Sequence, residues 1–538
     1  MIKVAGSIIT VETPPSDGNA PLQAAGVADI LARPGGGFMV AYRVSVDNQI
    51  GNSSTNLYLR TYGADDQADS SRVSIESVLL SGQSYTLRFA DTGSDSATAF
   101  VQGKDGITIR EYAGSDAGLL DGPDAAVDGS TDSQTFIADA ATPAGGGSFL
   151  LYQDDDAGDG VVRGRFFDAD NQPVAAHFDI GKIAGKDIGF ARASGLANGN
   201  IAVTFTIADS SGASDIHVKL IDEDGGTAKD TFRINTKTEG RQYGSQIAAL
   251  DSGGFAVAWI DADQNGSDGV KARTFDADGK ATSVEFNVDT PSKDDQNGIS
   301  VTALSGGRFA VFWYEDIDGG KIWSQLYDRE GGRIGKQSLI TEGSSPAYYD
   351  QSARAVQVDN GIMVVAWTRD IQQEGILARR FDVGQAGTDG NDTLNAKTLG
   401  RFIDGLDGND KLIGGKTSDT LNGGGGKDAS SGGKGNDTFV FTDASDSVAS
   451  TKNRDVIADF GLGKDKIDIS AIDAVEGGGD DRFDFIGAAK FSGSQGELRF
   501  AASSKFTLVE ADIDGDGKAD FQIQLDGHHS LATGDFVL

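Results

Sequence analysis

Residues 387–440 read GTDGNDTLN, AKTLGRFID, GLDGNDKLI, GGKTSDTLN, GGGGKDASS and GGKGNDTFV, six nine-residue units in tandem. Glycine and aspartate dominate them, and such a composition ordinarily stays disordered. Yet Leu394, Ile403, Leu412, Leu421 and Phe439 recur at the eighth position, with Ser430 in the fifth unit. Aspartate recurs at the sixth, as Asp392, Asp410, Asp419, Asp428 and Asp437, and Arg401 replaces it in the second unit. A fixed period of this kind marks a repeat architecture. Within each unit six turn residues precede a three-residue strand, and the eighth side chain points inward to make a thin core.

The run resembles the RTX calcium-binding parallel β-roll, whose repeat is G-G-x-G-x-D-x-U-x. The resemblance implies calcium held by the sixth-position carboxylates and by turn residues. On this chain those are Gly387, Asp389, Gly390, Gly405, Asp407, Gly408, Gly423, Gly433 and Gly435. Hard oxygen ligands suit that ion. The physics agrees, because so small a core cannot offset the ordering entropy of the chain. Two units make one coil, so an ion sits between units n and n+2. One side carries Asp392, Asp410 and Asp428; the other carries Arg401, Asp419 and Asp437. Arg401 puts a cation where a ligand belongs, which leaves an expectation of about three strong ions.

Downstream, NDTFVFTDASDSV (436–448), RDVIADFGLGKDKIDISAIDA (454–474), GELRF (496–500) and the final stretch 511–538 resemble the C-terminal domain of serralysin-type secreted proteins. That resemblance implies an all-β cap and an uncleaved signal for type I secretion machinery, ending in Asp535, Phe536, Val537 and Leu538. No HExxH zinc motif occurs, so no peptidase activity comes with it. DIDGDGKAD (512–520) places Asp512, Asp514, Asp516 and Asp520 like positions one, three, five and nine of an EF-hand loop. Ile523 stands where the bidentate glutamate belongs, so a calcium site competes here with a plain Asp/Gly turn.

The first 382 residues repeat on a longer period. Phe205, Trp259, Trp313 and Trp367 are 54 residues apart, and Tyr152, Phe100 and Tyr42 extend the series backwards. A second series runs Tyr62, Tyr112, Phe167, Ile221, Phe275, Tyr327 and Phe381. Within one unit, ISVTAL, RFAVFWY, KIWSQLY and KQSLIT (299–341) read as four antiparallel strands. Seven such units predict a seven-bladed β-propeller. The seventh unit stops after its third strand, and GSIITVETP (6–14) resembles the missing fourth, so the N-terminal strand is expected to close the last blade. The anchors read as core between blades. FDADG (275–279) and IDEDG (221–225) read as hairpin turns. DADQNGSDG (261–269) is a more oxygen-rich loop that admits calcium.

The expected organisation is therefore all-β: propeller 1–383, β-roll 384–440 and cap 441–538. Formal charge is 46 minus 81, or −35, which repels nucleic acid and favours cations. Cysteine is absent, so there is no disulfide framework. The N-terminus lacks the pattern of a cleaved secretory signal, and no apolar run of about 18 residues is present to span a membrane. The RTX and serralysin-type resemblance implies an extracellular protein that folds on calcium after export, and the charge, the absence of cysteine and the N-terminus fit that expectation. The propeller serves as a binding module for a glycan or cell-surface ligand, as a polysaccharide-degrading hydrolase or lyase, or as a structural ring. Acidic runs at 154–159 and 315–318 are candidates for catalysis, but neither a nucleophile elbow nor a sialidase box is present, so no catalytic residue is assigned.

Overall fold

The computed structural model describes residues 3–5, 8–12, 22–48, 52–68, 73–79, 87–91, 96–103, 106–113, 118–126, 135–154, 161–181, 187–262, 268–288, 295–315, 320–341, 353–368, 375–396, 402–461, 463–475 and 481–538. Among them every regular element is a strand or a short 3-10 turn, so the protein is all-β. No helix among the described residues is long and apolar enough to cross a membrane. The chain divides into two compact units, Met1–Phe381 and Asp382–Leu538.

In the first unit the strands pair antiparallel in groups of four. Residues 299–341 illustrate the pattern: Gln296–Ala303, Phe309–Glu315, Lys321–Tyr327 and Arg333–Leu339 pair in chain order. Burial falls across each group. The second strands Ile201–Ala208 and Phe255–Ala262 are buried on both faces, Ser214–Ile221 alternates, and Thr227–Arg233 is largely exposed. That gradient matches their sequences, from continuous apolar runs to alternation to polar edge. Tyr42, Phe100, Tyr152, Phe205, Trp259, Trp313 and Trp367 are all buried. Cross-strand pairs repeat as well. Phe38–Tyr62, Phe255–Phe275 and Phe309–Tyr327 stack with ring centroids 4.7, 5.0 and 5.2 Å apart, each contributing about 1 kcal/mol beyond burial.

The first strands of the groups are Leu22–Arg33, Leu87–Asp91, Thr135–Ala141, Asp187–Gly195, Arg241–Ala249, Gln296–Ala303 and Arg354–Asp359. Each lies beside the next, and the seventh lies beside the first, so the order is cyclic. In the seventh group Ile9–Glu12 pairs antiparallel with Ile376–Asp382, with Ile9 opposite Ala378. Val11 is fully buried there. The Arg60 guanidinium donates to the Val11 carbonyl (2.7 Å), and Arg380 bonds the Asp66 carboxylate and the Gly63 carbonyl. The second group is the irregular one. Its outer strand Gly118–Ala126 loses register between Leu120 and Ala125, around Pro123, which has no N–H to give the ladder.

In the second unit the nonapeptide strands pair parallel. Leu394 lies opposite Leu412 and Leu412 opposite Ser430; Ile403 lies opposite Leu421 and Leu421 opposite Phe439. The step is 18 residues, two nonapeptides per coil. The two ladders continue without a break into Val456–Ile457 and Phe521–Asp526 on one side, and into Lys466–Asp468 and Phe536–Val537 on the other. One apolar core therefore runs from Leu394 through Ile457, Ile467 and Phe521 to Phe536.

Candidate metal centre

The tight turns bring the sixth-position aspartates into two columns. Asp410 Oδ1 accepts the Asp392 N–H (2.7 Å), and Asp428 Oδ1 accepts that of Asp410 (2.7 Å). On the other side Asp437 Oδ1 accepts the Asp419 N–H at 2.8 Å. Each carboxylate thus spends one oxygen on the coil before it. The second oxygens of Asp410, Asp428 and Asp437 are buried and receive no hydrogen bond. At the first aspartate of each side the second oxygen is capped instead: Thr388 N and Oγ1 donate to Asp392 Oδ2, and Gly415 N to Asp419 Oδ2.

Glycine is required beside these oxygens. A Cβ on Gly405 would lie 2.4 Å from Asp410 Oδ2 and 2.4 Å from the Gly423 carbonyl oxygen. Gly423 stands in the same relation to Asp428 Oδ2, and Gly387 to the Gly405 carbonyl and Asp392 Oδ2. A carboxylate oxygen and a carbonyl oxygen converge on space that no side chain can enter. Gly408, Gly426 and Gly435 hold φ of 138°, 130° and 139°, which sends the next coil over the last. Gly390 stays in the first turn, and Gly433 (φ 85°) sits against the Gly415 carbonyl. Asp389 and Asp407 are exposed at the turn tips. Arg401 lies outside the described residues.

Stacked carboxylates without a counter-charge cannot all ionise. Burial, reinforced by neighbouring aspartates, pushes Asp428 up to about 7 and Asp437 up to about 6, and raises Asp410. The columns also outrun the repeats. Asp455 Oδ1 accepts the Asp428 N–H (2.8 Å), and Asp465 Oδ1 accepts the Asp437 N–H (2.9 Å). Burial, with Asp428 and Asp446 nearby, drives Asp455 up to about 9. Sequence reading missed these two because the step lengthens from 18 to 27 and 28 residues. It also missed an outer ladder at position five, where Asn391 Oδ1 takes the Asn409 N–H and Asn409 Oδ1 takes that of Lys427. The repeated GND triplet was its signal.

Oxygens of Asp512, Asp514 and Asp520 lie within 4.8 Å of one another. Asp516 stands apart, bonded to Lys518 Nζ at 2.5 Å, and that contact lowers its pKa. Asp512 accepts from Gly515 and Gly517, and Asp520 from Ile513, so this loop satisfies its own carboxylates. In the 261–269 loop, residues 263–267 lie outside the described set. Asp261 accepts from Gln242 and lies 3.5 and 3.7 Å from Lys237 and Lys271, which makes it a partner for cations already in the fold. The 275–279 and 221–225 turns behave as hairpin turns: Asp276 Oδ1 takes two turn amides, as does Asp222 Oδ1. Residues 155–159 and 316–318 of the acidic runs also lie outside the described residues.

Residues 379–538 match the family described as Peptidase M10 serralysin C terminal. No curated protein matches the chain. Among solved structures, the R2 subunit of the Azotobacter vinelandii mannuronan C5-epimerase AlgE6 is 27% identical, covering 29% of this chain and 92% of that one, with a TM-score of 0.24. Polysaccharide lyase Uly1 is 10% identical, covering 71% of this chain and 99% of that one, at 0.46. A protein of unknown function from Dyadobacter fermentans is 11% identical, covering 71% and 99%, at 0.41. The serralysin-type segment begins just before the second unit and includes both aspartate columns, so the oxygen cradle and the family match coincide on the chain.

Proposed function

We propose that the protein is a secreted calcium-binding RTX protein whose N-terminal ring is an extracellular binding module. Residues 1–383 act as a seven-bladed β-propeller, 384–440 as a calcium-loaded parallel β-roll, and 441–538 as the cap carrying the type I export signal. The observation that carries the metal reading is the repeated buried Oδ2 without a hydrogen bond, beside a glycine whose missing side chain keeps carbon away from that oxygen. Orphaned buried carboxylate oxygens cost several kcal/mol each, so three at equivalent positions call for a cation. Calcium bound there would supply the positive charge that lets the columns ionise together.

Asp410, Asp428 and Asp437, with Asp392 and Asp419 at the column starts, would hold the ions through carboxylate oxygens. The turn residues would present carbonyls, with Gly405 and Gly423 positioned to do so. Asp512, Asp514 and Asp520 offer a further site of the same chemistry. Where calcium is scarce, charge repulsion keeps the columns apart and the segment threadable for export. Where it is near millimolar, binding and folding are one event. The cyclic ring of similar sheets supports a binding role, because repeated loops suit weak multivalent contacts.

The test is far-UV circular dichroism of the full chain in EGTA and then in millimolar calcium. The reading expects a calcium-dependent gain of β signal while tryptophan fluorescence, confined to residues 259–367, stays fixed. An unchanged spectrum overturns it. Release of unsaturated or reducing sugars from polysaccharides would replace the binding module with a degrading enzyme.

A further inference from the structure

The first strands of three successive groups lose register at the same place. The breaks lie between Gly189 and Arg192, Tyr243 and Gln246, and Asn297 and Ser300, each 54 residues after the last. At each break one residue holds a positive φ: Phe190 at 53°, Gly244 at 66° and Gly298 at 55°. The bend therefore belongs to the repeat, and glycine takes it without strain. Two groups use glycine, and the third places a phenylalanine in a conformation that bulky side chains rarely adopt. The backbone does not call for that ring, because glycine builds the same bend twice. The core does not call for it either, because Phe190 is 56% exposed. Among the described residues it is the one aromatic in the set of large exposed apolar side chains.

The ring has a defined neighbourhood. It meets that of Tyr243 on the next first strand, with centroids 6.3 Å apart. The Tyr243 hydroxyl donates to Asp268 Oδ2 (2.7 Å), and the Asp268 N–H donates to Asp295 Oδ1 (3.2 Å). The Arg241 guanidinium lies over the Tyr243 ring at 5.0 Å. An exposed aromatic pair thus adjoins two carboxylates and one guanidinium.

These groups select a ligand by its charge. An acid group would be repelled by Asp268 and Asp295. A cation would find the Tyr243 face already carrying Arg241. A neutral sugar suits both features. The C–H face of a pyranose packs on an aromatic ring, and its hydroxyls donate to carboxylate oxygens, as the Tyr243 hydroxyl already does.

The other polar groups of the first strands are spent within the fold. A charged arc of Arg354, Asp29, Arg88, Asp139 and Arg192 crosses five neighbouring strands. Arg88 Nη1 donates to the Ala28 and Leu87 carbonyls, and Arg192 Nη1 to those of Ala138 and Ala191. Asp29 accepts the Phe89 N–H and Asp139 that of Ala193. Beyond the other end of these strands lies a cavity of about 610 Å³. There Asp251 takes the Gly306 and Gly307 amides, and Gln357 bonds Ser305.

We propose that Phe190 and Tyr243, flanked by Asp268 and Asp295, bind a neutral saccharide. The inference deepens the binding-module reading and rests on it.

The experiment is isothermal titration of the full chain in millimolar calcium with three oligosaccharide sets: neutral, uronate and amino-sugar. Wild type is expected to bind a neutral set at least about tenfold more tightly than either charged one. Phe190→Gly copies the residue found at the same bend in the next two groups, so it should fold. It should lose at least about tenfold in affinity while its melting temperature holds or rises. Phe190→Tyr keeps the ring and should keep the affinity. A charged set that binds as tightly as the neutral one, or unchanged binding by Phe190→Gly, overturns this inference and leaves the binding module standing. Binding to a cell-surface preparation without binding to any neutral set does the same. No binding to any saccharide or cell-surface preparation would remove both.

Discussion

Replacing Asp428 with asparagine should have opposite effects with and without calcium. Asp428 Oδ1 holds the Asp410 N–H, and Oδ2 is buried with no hydrogen bond. Asparagine keeps the first contact and removes the charge. The folded metal-free state raises this group from 3.8 to about 7. At pH 7.5 that amounts to about 4 kcal/mol of penalty for keeping it ionised, reduced to about 2 kcal/mol by solvent screening. Asp428→Asn should therefore stabilise the metal-free second unit by about 2 kcal/mol. In calcium it should destabilise the same unit, because Asp428 serves the steps to both Asp410 and Asp455. The calcium midpoint should rise about tenfold or more, the loss of one charged ligand contact. Urea unfolding followed by circular dichroism in EGTA and in 5 mM calcium reads both. All four tryptophans lie in the first unit and serve as an internal control. Equal destabilisation in both buffers would mean the column is a hydrogen-bond ladder alone, and the cation argument would fail.

The pH dependence follows from the same groups. Their folded pKa values are raised, so metal-free stability is fullest below 3.8 and is lost as pH rises to about 6 at Asp437 and about 7 at Asp428. Calcium needs the ionised form, so its midpoint in a dichroism titration should weaken as pH falls from 7.5 to 5.5. Gly426→Ala places a Cβ 1.6 Å from the Gly408 carbonyl at φ 130°. It should cost more than about 2 kcal/mol and lower the second unit's calorimetric transition by about 6 °C or more. Removing residues 1–12 strips Ile9 and Val11 from the seventh sheet. The tryptophan-detected melting of the first unit should fall by about 10 °C, with the calcium response of the second unit retained.

Much of this was legible because both repeats are spelled in side chains. The eighth-position series from Leu394 to Phe439 matches the 18-residue step of the parallel ladders, and the aromatic series from Tyr42 to Trp367 falls on buried strand positions. The match of 6–14 to other fourth strands located the partner of Ile376–Asp382. What stayed hidden has physical causes. Asp455 and Asp465 join the columns through connections of a different length, so no fixed period points to them. Asp516 fits an EF-hand spacing, but Lys518 two residues on draws it away. The charged arc assembles residues as distant as Asp29 and Arg354, which become neighbours only when the ring closes. Phe190 reads as an ordinary strand residue, and its left-handed backbone is visible only in three dimensions.

Cations are expected beside Gly405, Gly423 and Gly432, against the second oxygens of Asp410, Asp428 and Asp437. Anomalous diffraction from crystals grown in millimolar calcium tests it directly. Peaks are expected at those positions, each with a carboxylate and a backbone carbonyl among its ligands. Waters there, or columns that close up with no anomalous signal, would contradict it.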